Sequence, residues 1–179
     1  MKNILGLDIS TSITGATVVC AGKILDTEFF DTRNKNKFKT LYEKGQFIRE
    51  RLWQIQDRFN IDEIFIEQSL QSFRSGFSSA KTLSTLSRFN GIVSWVCYDM
   101  FKLEPQMIAA SSARKTAGVI IKRGDNSKEK VLQFVLDNYP QIEIQYTKHG
   151  NPKPGMYDLC DSIIIALAGD KIVGETKTT

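Results

Sequence analysis

The chain has 179 residues, 41% of them hydrophobic and 25% charged, enough for one buried core and too balanced for a disordered segment. No apolar run approaches the ~18 residues of a membrane span, and the N-terminus MKNILGLDIS lacks the layout of a secretory leader. The length leaves no room for a two-lobed kinase of the sugar-kinase type. Net charge is +4, but its placement says more than its size. Residues 31–59 hold eight Lys/Arg against four Asp/Glu, and residues 74–130 hold ten against four, while the rest of the chain is acidic. This pattern suggests a polyanion-binding face beside an acidic site, or a set of solvated helix faces.

Cys20, Cys97 and Cys160 are far apart, and no CxxC occurs, which argues against a zinc ribbon or a disulfide framework. His149 is the single histidine, so zinc sites needing two are excluded. Hydrolytic chemistry in this chain should rest on carboxylates.

In chain order, residues 3–9 (NILGLDI) form an apolar run of strand length. Residues 14–21 and 24–30 are two more β-rich runs joined by Gly22 and Lys23, so the chain should open with an antiparallel meander. Residues 31–39 (DTRNKNKFK) are a polar, basic loop. Leu41, Ile48, Leu52, Ile55 and Phe59 share one face of a helix over 40–59. Residues 63–67 (EIFIE) read as a strand and 69–78 as a Ser/Gly/aromatic loop. A long helix over 79–101 follows, with Leu83, Leu86, Val93 and Val96 as its apolar stripe.

Residues 105–109 make a further strand, and a small helix starts near Ser111. After a turn at 122–126, Asn126 with Glu129 fits a capping box for a helix over 127–138. Residues 145–155 are a loop, and 156–168 form a final helix. The last ten residues are polar and should fray. An antiparallel start followed by strand–helix alternation predicts an α/β domain with a mixed sheet and helices on its faces.

Four acids need explaining. Asp8 sits in an apolar strand, sharing a face with Ile4 and Gly6. A carboxylate there is costly unless paired or bound to a cation, the other reading being a satisfied structural Asp at a strand end. Glu67 ends its strand on the face of Phe65, opening onto the same end of the sheet, or is an ordinary surface Glu. Asp158 and Asp161 lie three apart and so share a helix face. The macrodipole at a helix N-terminus would favour acids there too, Asp158 more than Asp161. If the four converge, oxygen ligands without histidine or thiolate suit Mg²⁺ or Mn²⁺, and two such ions can act on a phosphodiester.

Taken in order, ILGLDISTSITGATVV, IFIEQS and YDLCDSIIIALAG resemble the three acidic motifs of the RuvC-type Holliday junction resolvases, which have the RNase H-like (retroviral-integrase) fold. IAASSARKTAGVI followed by NSKEKVLQFV is similar to that family's basic segment and capped helix. The resemblance spans about residues 3–168. It implies an RNase H-like five-stranded mixed sheet, its first three strands antiparallel, in a single nuclease domain over 1–170 with a polar tail at 171–179. The implied activity is metal-dependent, symmetric cleavage of four-way DNA junctions by a homodimer in recombination, repair or replication-intermediate processing. Two Mg²⁺ or Mn²⁺ ions per site are implied, held by Asp8, Glu67, Asp158 and Asp161.

The same resemblance makes Lys115 a catalytic lysine at the scissile phosphate and Lys128 a second DNA-contacting lysine. In the loop after Glu67 the family's junction-entering aromatic position reads Leu70, and Phe73, three residues later, would enter the junction centre or else belong to the core. Arg74, Lys81 and Arg88, seven apart, would form a basic stripe, and Lys122 and Arg123 would add to the DNA-binding surface. A branch-migration helicase is a possible partner, with the cytoplasm, or an organellar matrix, as the setting. The chain departs from the family in having Ile9-Ser10 after the first acid and a longer loop at 145–155. That loop carries His149, which could assist water or phosphate or simply lie on the surface.

Two alternatives stay open. One is a fork or flap nuclease of the same fold with relaxed specificity. The other is an ATP-binding domain of the actin/sugar-kinase type, since LGLDISTSITGATVV also looks like that group's first phosphate loop, with Asp8 on Mg²⁺ and Ser10–Thr14 at the phosphates.

Overall fold

The computed structural model describes residues 1–68 and 80–175. The chain opens as a meander, β1 (Asn3–Asp8), β2 (Ile13–Cys20) and β3 (Lys23–Asp31). Helix α1 (Leu41–Arg58) leads to β4 (Glu63–Glu67), and α2 (Ala80–Phe101) leads to β5 (Gln106–Ile108). Three helices complete the fold: α3 (Ala110–Ala117), α4 (Ser127–Asn138) and α5 (Met156–Glu175). The strands form one sheet in the order β3-β2-β1-β4-β5. Pairing is antiparallel from β3 to β1 and parallel from β1 to β5. This is the mixed sheet that the pattern of elements predicts.

Alternation along β1 divides the core in two. Leu5, Leu7 and Ile9 join Ile64 and Ile66 of β4 beneath α1 and α2. There the predicted α1 stripe buries Ile48, Leu52 and Ile55, and α2 buries Phe89, Val93, Val96 and Cys97. On the other face Ile4 and Phe65 pack with α3, α4 and α5. Asp8 and Glu67 fall on this second face by the same alternation.

Helix α5 is buried on nearly every side from Leu159 to Gly169, as expected of a helix held between a sheet and other helices. Two glycines let it lie against the strands. A Cβ on Gly6 would come within 2.4 Å of the Ala166 backbone nitrogen, and one on Gly15 within 2.1 Å of the Asp158 carbonyl oxygen. A chain of hydroxyls fixes the same contact. Thr17 bonds Thr27 on one side and Ser162 on the other, each at 2.8 Å, and Ser162 donates to the Leu159 carbonyl. With Thr17 and Ser162 fully buried, their hydroxyls must find these partners.

Three local details differ from the sequence reading. The last helix does not stop at 168 but runs to Glu175, because Ile172 and Val173 still find apolar surface on the second core. Asn126 caps α4 by accepting from the Lys128 N–H rather than through a reciprocal box with Glu129. The complete capping box is at α1, where Thr40 accepts from the Glu43 N–H and the Glu43 carboxylate accepts from the Thr40 N–H. Its T-x-x-E signature is plain in the sequence.

Candidate active site

Asp8 is the last residue of β1 and pairs with Gly15 of β2. Glu67 is the last residue of the neighbouring parallel strand β4. Both carboxylates therefore leave the sheet at the same end and on the same face. The backbone at Glu67 is steadied from behind by buried Asn90 of α2, whose side-chain amide donates to the Glu67 carbonyl at 3.3 Å. From above, the first turns of α5 bring Asp158 and Asp161, with Gly15 giving the Asp158 backbone room to approach β2.

The four carboxylates sense one another. Burial is the largest influence on each and lifts all four above the usual carboxylate range. Asp8 is raised well above that range, since the charges of Glu67, Asp161 and Asp158 add to its desolvation. Glu67 is pushed from 4.5 to about 7 by burial and by the Asp161 charge. Groups so perturbed, gathered at one end of the sheet, mark a candidate functional site.

Three cations oppose this rise. The Lys128 ammonium acts on all four acids. It extends from the first turn of α4 and lies 5.5 Å from the Tyr157 ring, next to Asp158 in sequence. The Arg114 guanidinium reaches Asp161 at 3.4 Å from α3 and also lowers Glu67. On the opposite side, Arg33 in the loop after β3 lowers Asp158.

The other predicted positions are distributed as follows. Lys115 is exposed on α3, and its side chain has no hydrogen bond or ion pair among the described residues. The α3 side chain that does reach the acids is Arg114, because Ala113 and Ala117 turn inward and rotate Arg114 toward α5. Lys122 and Arg123 are exposed on the turn before α4, and Lys81 and Arg88 on α2. Phe73 and Arg74 lie outside the described residues. His149 is exposed in a turn where Thr147 and Asn151 are joined through their backbones. Arg114 and Arg33 escaped the sequence reading. The run ARKTAG offers two adjacent cations, and only the phase of α3 distinguishes them.

The loop after β1 turns its polar groups onto its own backbone. The Ser10 hydroxyl donates to the Ile13 carbonyl and accepts from the Ser12 and Ile13 N–H groups. Thr14 is buried.

The donor set suits a hard divalent cation, four carboxylates with no histidine beside them. The Cys160 thiol next to Asp161 is pushed up to about 12 by burial, so it stays protonated and offers no thiolate. Among the described residues, no three such side chains are gathered closely enough to grip one ion as they stand.

No protein-family model and no curated protein sequence matches this chain. Solved structures do. RuvC from Thermus thermophilus in complex with a Holliday junction substrate superimposes with a TM-score of 0.70, covering 98% of this chain and 96% of that one at 16% identity. The chain has the RuvC fold. A second T. thermophilus RuvC structure gives a TM-score of 0.66 at 19% identity, covering 97% and 96% of the two chains. Ydc2, the yeast mitochondrial Holliday junction resolvase, gives 0.63 at 14% identity, covering 99% of this chain and 81% of its own. At these identities the likeness is one of fold. The RuvC fold accounts for the mixed sheet, its antiparallel start, and the last helix packed against the first two strands.

Proposed function

We propose that the chain is a metal-dependent endonuclease acting on branched DNA, with the four-way junction as its principal substrate. The observation that carries this is the convergence of Asp8, Glu67, Asp158 and Asp161 at one end of the sheet, each perturbed by burial and flanked by Arg114 and Lys128. The RuvC fold supports it.

In this reading the four carboxylates hold Mg²⁺ or Mn²⁺. Such ions, when bound, supply Lewis acidity toward a phosphodiester and lower the pKa of water. The protein's own cations do the rest. Arg114 and Lys128 balance the acids at rest and offer N–H donors to the scissile phosphate. Lys115, Lys122 and Arg123 extend the basic surface along α3 and into α4, and Lys81 and Arg88 extend it along α2. Asn90 and the Thr17–Ser162 pair hold the two acidic elements in register. A homodimer would match the two-fold symmetry of a junction. The exposed aromatics of α1 and α2, among them Tyr42 and Trp95 around an open cleft of about 600 Å³, are the surface we assign to that contact.

A gel cleavage assay tests the reading, with a labelled mobile four-way junction and a matched linear duplex, each with Mg²⁺, with Mn²⁺ and with a chelator. Paired nicks near the junction centre that need metal and spare the duplex are expected. Asp8→Asn should remove cleavage and keep DNA binding, since it takes one negative charge away from the phosphates. Absence of cleavage in either metal would overturn the reading. Equal cleavage of forks, flaps and junctions would keep the nuclease and remove the junction preference.

A further inference from the structure

The loop between β3 and α1 is strongly basic, with four cations in the seven residues from Arg33 to Lys39. Residues 31–44 hold Arg33, Lys35, Lys37, Lys39 and Lys44 against Asp31 and Glu43. Both acids are already engaged, Asp31 by Arg33 at 2.5 Å and Glu43 by the backbone of Lys39 and Thr40. The surplus is positive and faces solvent, with Lys35, Lys37 and Lys39 all exposed.

The segment is a built turn. The Asn34 side chain accepts from the Asn36 and Lys37 N–H groups, and its carbonyl accepts from Lys37 and Phe38. Phe38 is buried and meets the Phe47 ring at 5.1 Å, and the Lys37 ammonium lies about 5 Å from both rings. Alternate residues are thus held outward as cations while Phe38 anchors the turn from beneath.

Its position ties it to the acids. The Thr32 N–H donates to the Ser12 carbonyl at 2.8 Å, its hydroxyl donates to the same loop, and Lys44 donates to the Thr11 carbonyl. That loop begins one residue after Asp8. Arg33 lowers Asp158, and the Lys44 ammonium is depressed by its burial and, to a smaller extent, by the Lys35 charge. Cations with no carboxylate left to pair repel one another until an anion arrives.

We propose that the turn at residues 33–39 is a second phosphate-binding track, which takes the DNA backbone as it leaves the acidic cluster on the β3 side, opposite Arg114 and Lys128. The inference rests on the nuclease reading and adds to it a surface that the acidic motifs do not include. Lys35 and Lys39 are its contact residues. Their side chains have no hydrogen bond or ion pair among the described residues, whereas Arg33, Lys37 and Lys44 are partly committed within the fold.

The test uses the full chain in a chelator and measures the Kd for a labelled four-way junction and for a matched duplex across a salt series. Each phosphate contact contributes close to one unit to the slope of log K against log salt. Lys35→Ala/Lys39→Ala should reduce that slope by about 1–2 and weaken binding roughly tenfold at moderate salt on both substrates, with Tm unchanged. Lys35→Arg/Lys39→Arg should bind like the parent, which loss of fold would not allow. An alanine variant with parental Kd and slope overturns the track, and the nuclease stands if the parent still cuts the junction in Mg²⁺. A parent that neither binds nor cuts overturns both.

Discussion

Replacing Gly15 by alanine places the argument for the site under direct strain. The added Cβ would lie 2.1 Å from the Asp158 carbonyl oxygen, 2.6 Å from its carbonyl carbon and 3.0 Å from the Ser162 Cβ. Ordinary contact begins near 3.4 Å, so the start of α5 must withdraw by roughly an ångström, and the obstacle is backbone that cannot swing aside. Overpacking of this kind costs about 1–3 kcal/mol, here toward the upper end, and in a domain of this size that lowers Tm by about 5–10 °C. The displacement carries Asp158 away from Asp8, and a misplacement near 1 Å costs about 100-fold in rate. Calorimetry and single-turnover junction cleavage, well below both melting temperatures, read the two effects separately. Gly6→Ala is the companion, because its Cβ would strike the Ala166 backbone two turns further along α5. It should lose a similar Tm and much less rate. A Gly15→Ala protein that loses stability and cleaves at the parental rate would refute the claim that this contact seats the acids.

Two further outcomes are expected. Glu67 is raised from 4.5 to about 7, with Asp8, Asp158 and Asp161 also above their ordinary range; such acids hold protons more tightly folded than unfolded, so stability is lost as pH rises through that window. For Glu67 alone this is about 3 kcal/mol between pH 4.5 and 7. In a chelator Tm should therefore fall from mildly acid to alkaline pH, flatten in Asp8→Asn and recover with Mg²⁺; a Tm independent of pH in this range contradicts the cluster. Arg114→Ala should slow cleavage by about 10–100-fold and cost about 1–3 kcal/mol by leaving Asp161 without its partner, with Lys115→Ala milder in both; the reverse order, measured by the same kinetics and melting curves, would assign the chemistry to Lys115.

Much of the layout of the candidate site is legible in the residue pattern because strands and helices have fixed periods. Alternation puts Asp8 with Ile4, and Glu67 with Phe65, on one face of the sheet, and Ile4 and Phe65 pack there. Spacing of three puts Asp158 and Asp161 on one face of a helix whose other faces carry Leu159, Ile163, Ile164 and Leu167. What pattern could not supply is rotation and distance of approach. Arg114 and Lys115 are equivalent until Ala113 and Ala117 choose the buried side of α3. Gly6 and Gly15 look like ordinary strand glycines until a helix lies across them. Arg33 joins the site only because Thr32 ties its loop to the turn after Asp8. The polar residues after Ala168 point to an earlier end for α5, but Ile172 and Val173 still find apolar partners.

Helix α5 brings two of the four acids, and it follows all five strands of the described residues. During synthesis Asp8 and Glu67 are in the chain before Asp158 and Asp161 exist. The buried Thr17 and Ser162 hydroxyls then act as a latch that closes only on a correctly seated helix. On the nuclease reading, a chain interrupted before that step carries half of its carboxylates and cannot cut. On the same reading, competence to cut arrives only once α5 is seated, so a molecule lacking that helix would leave DNA intact.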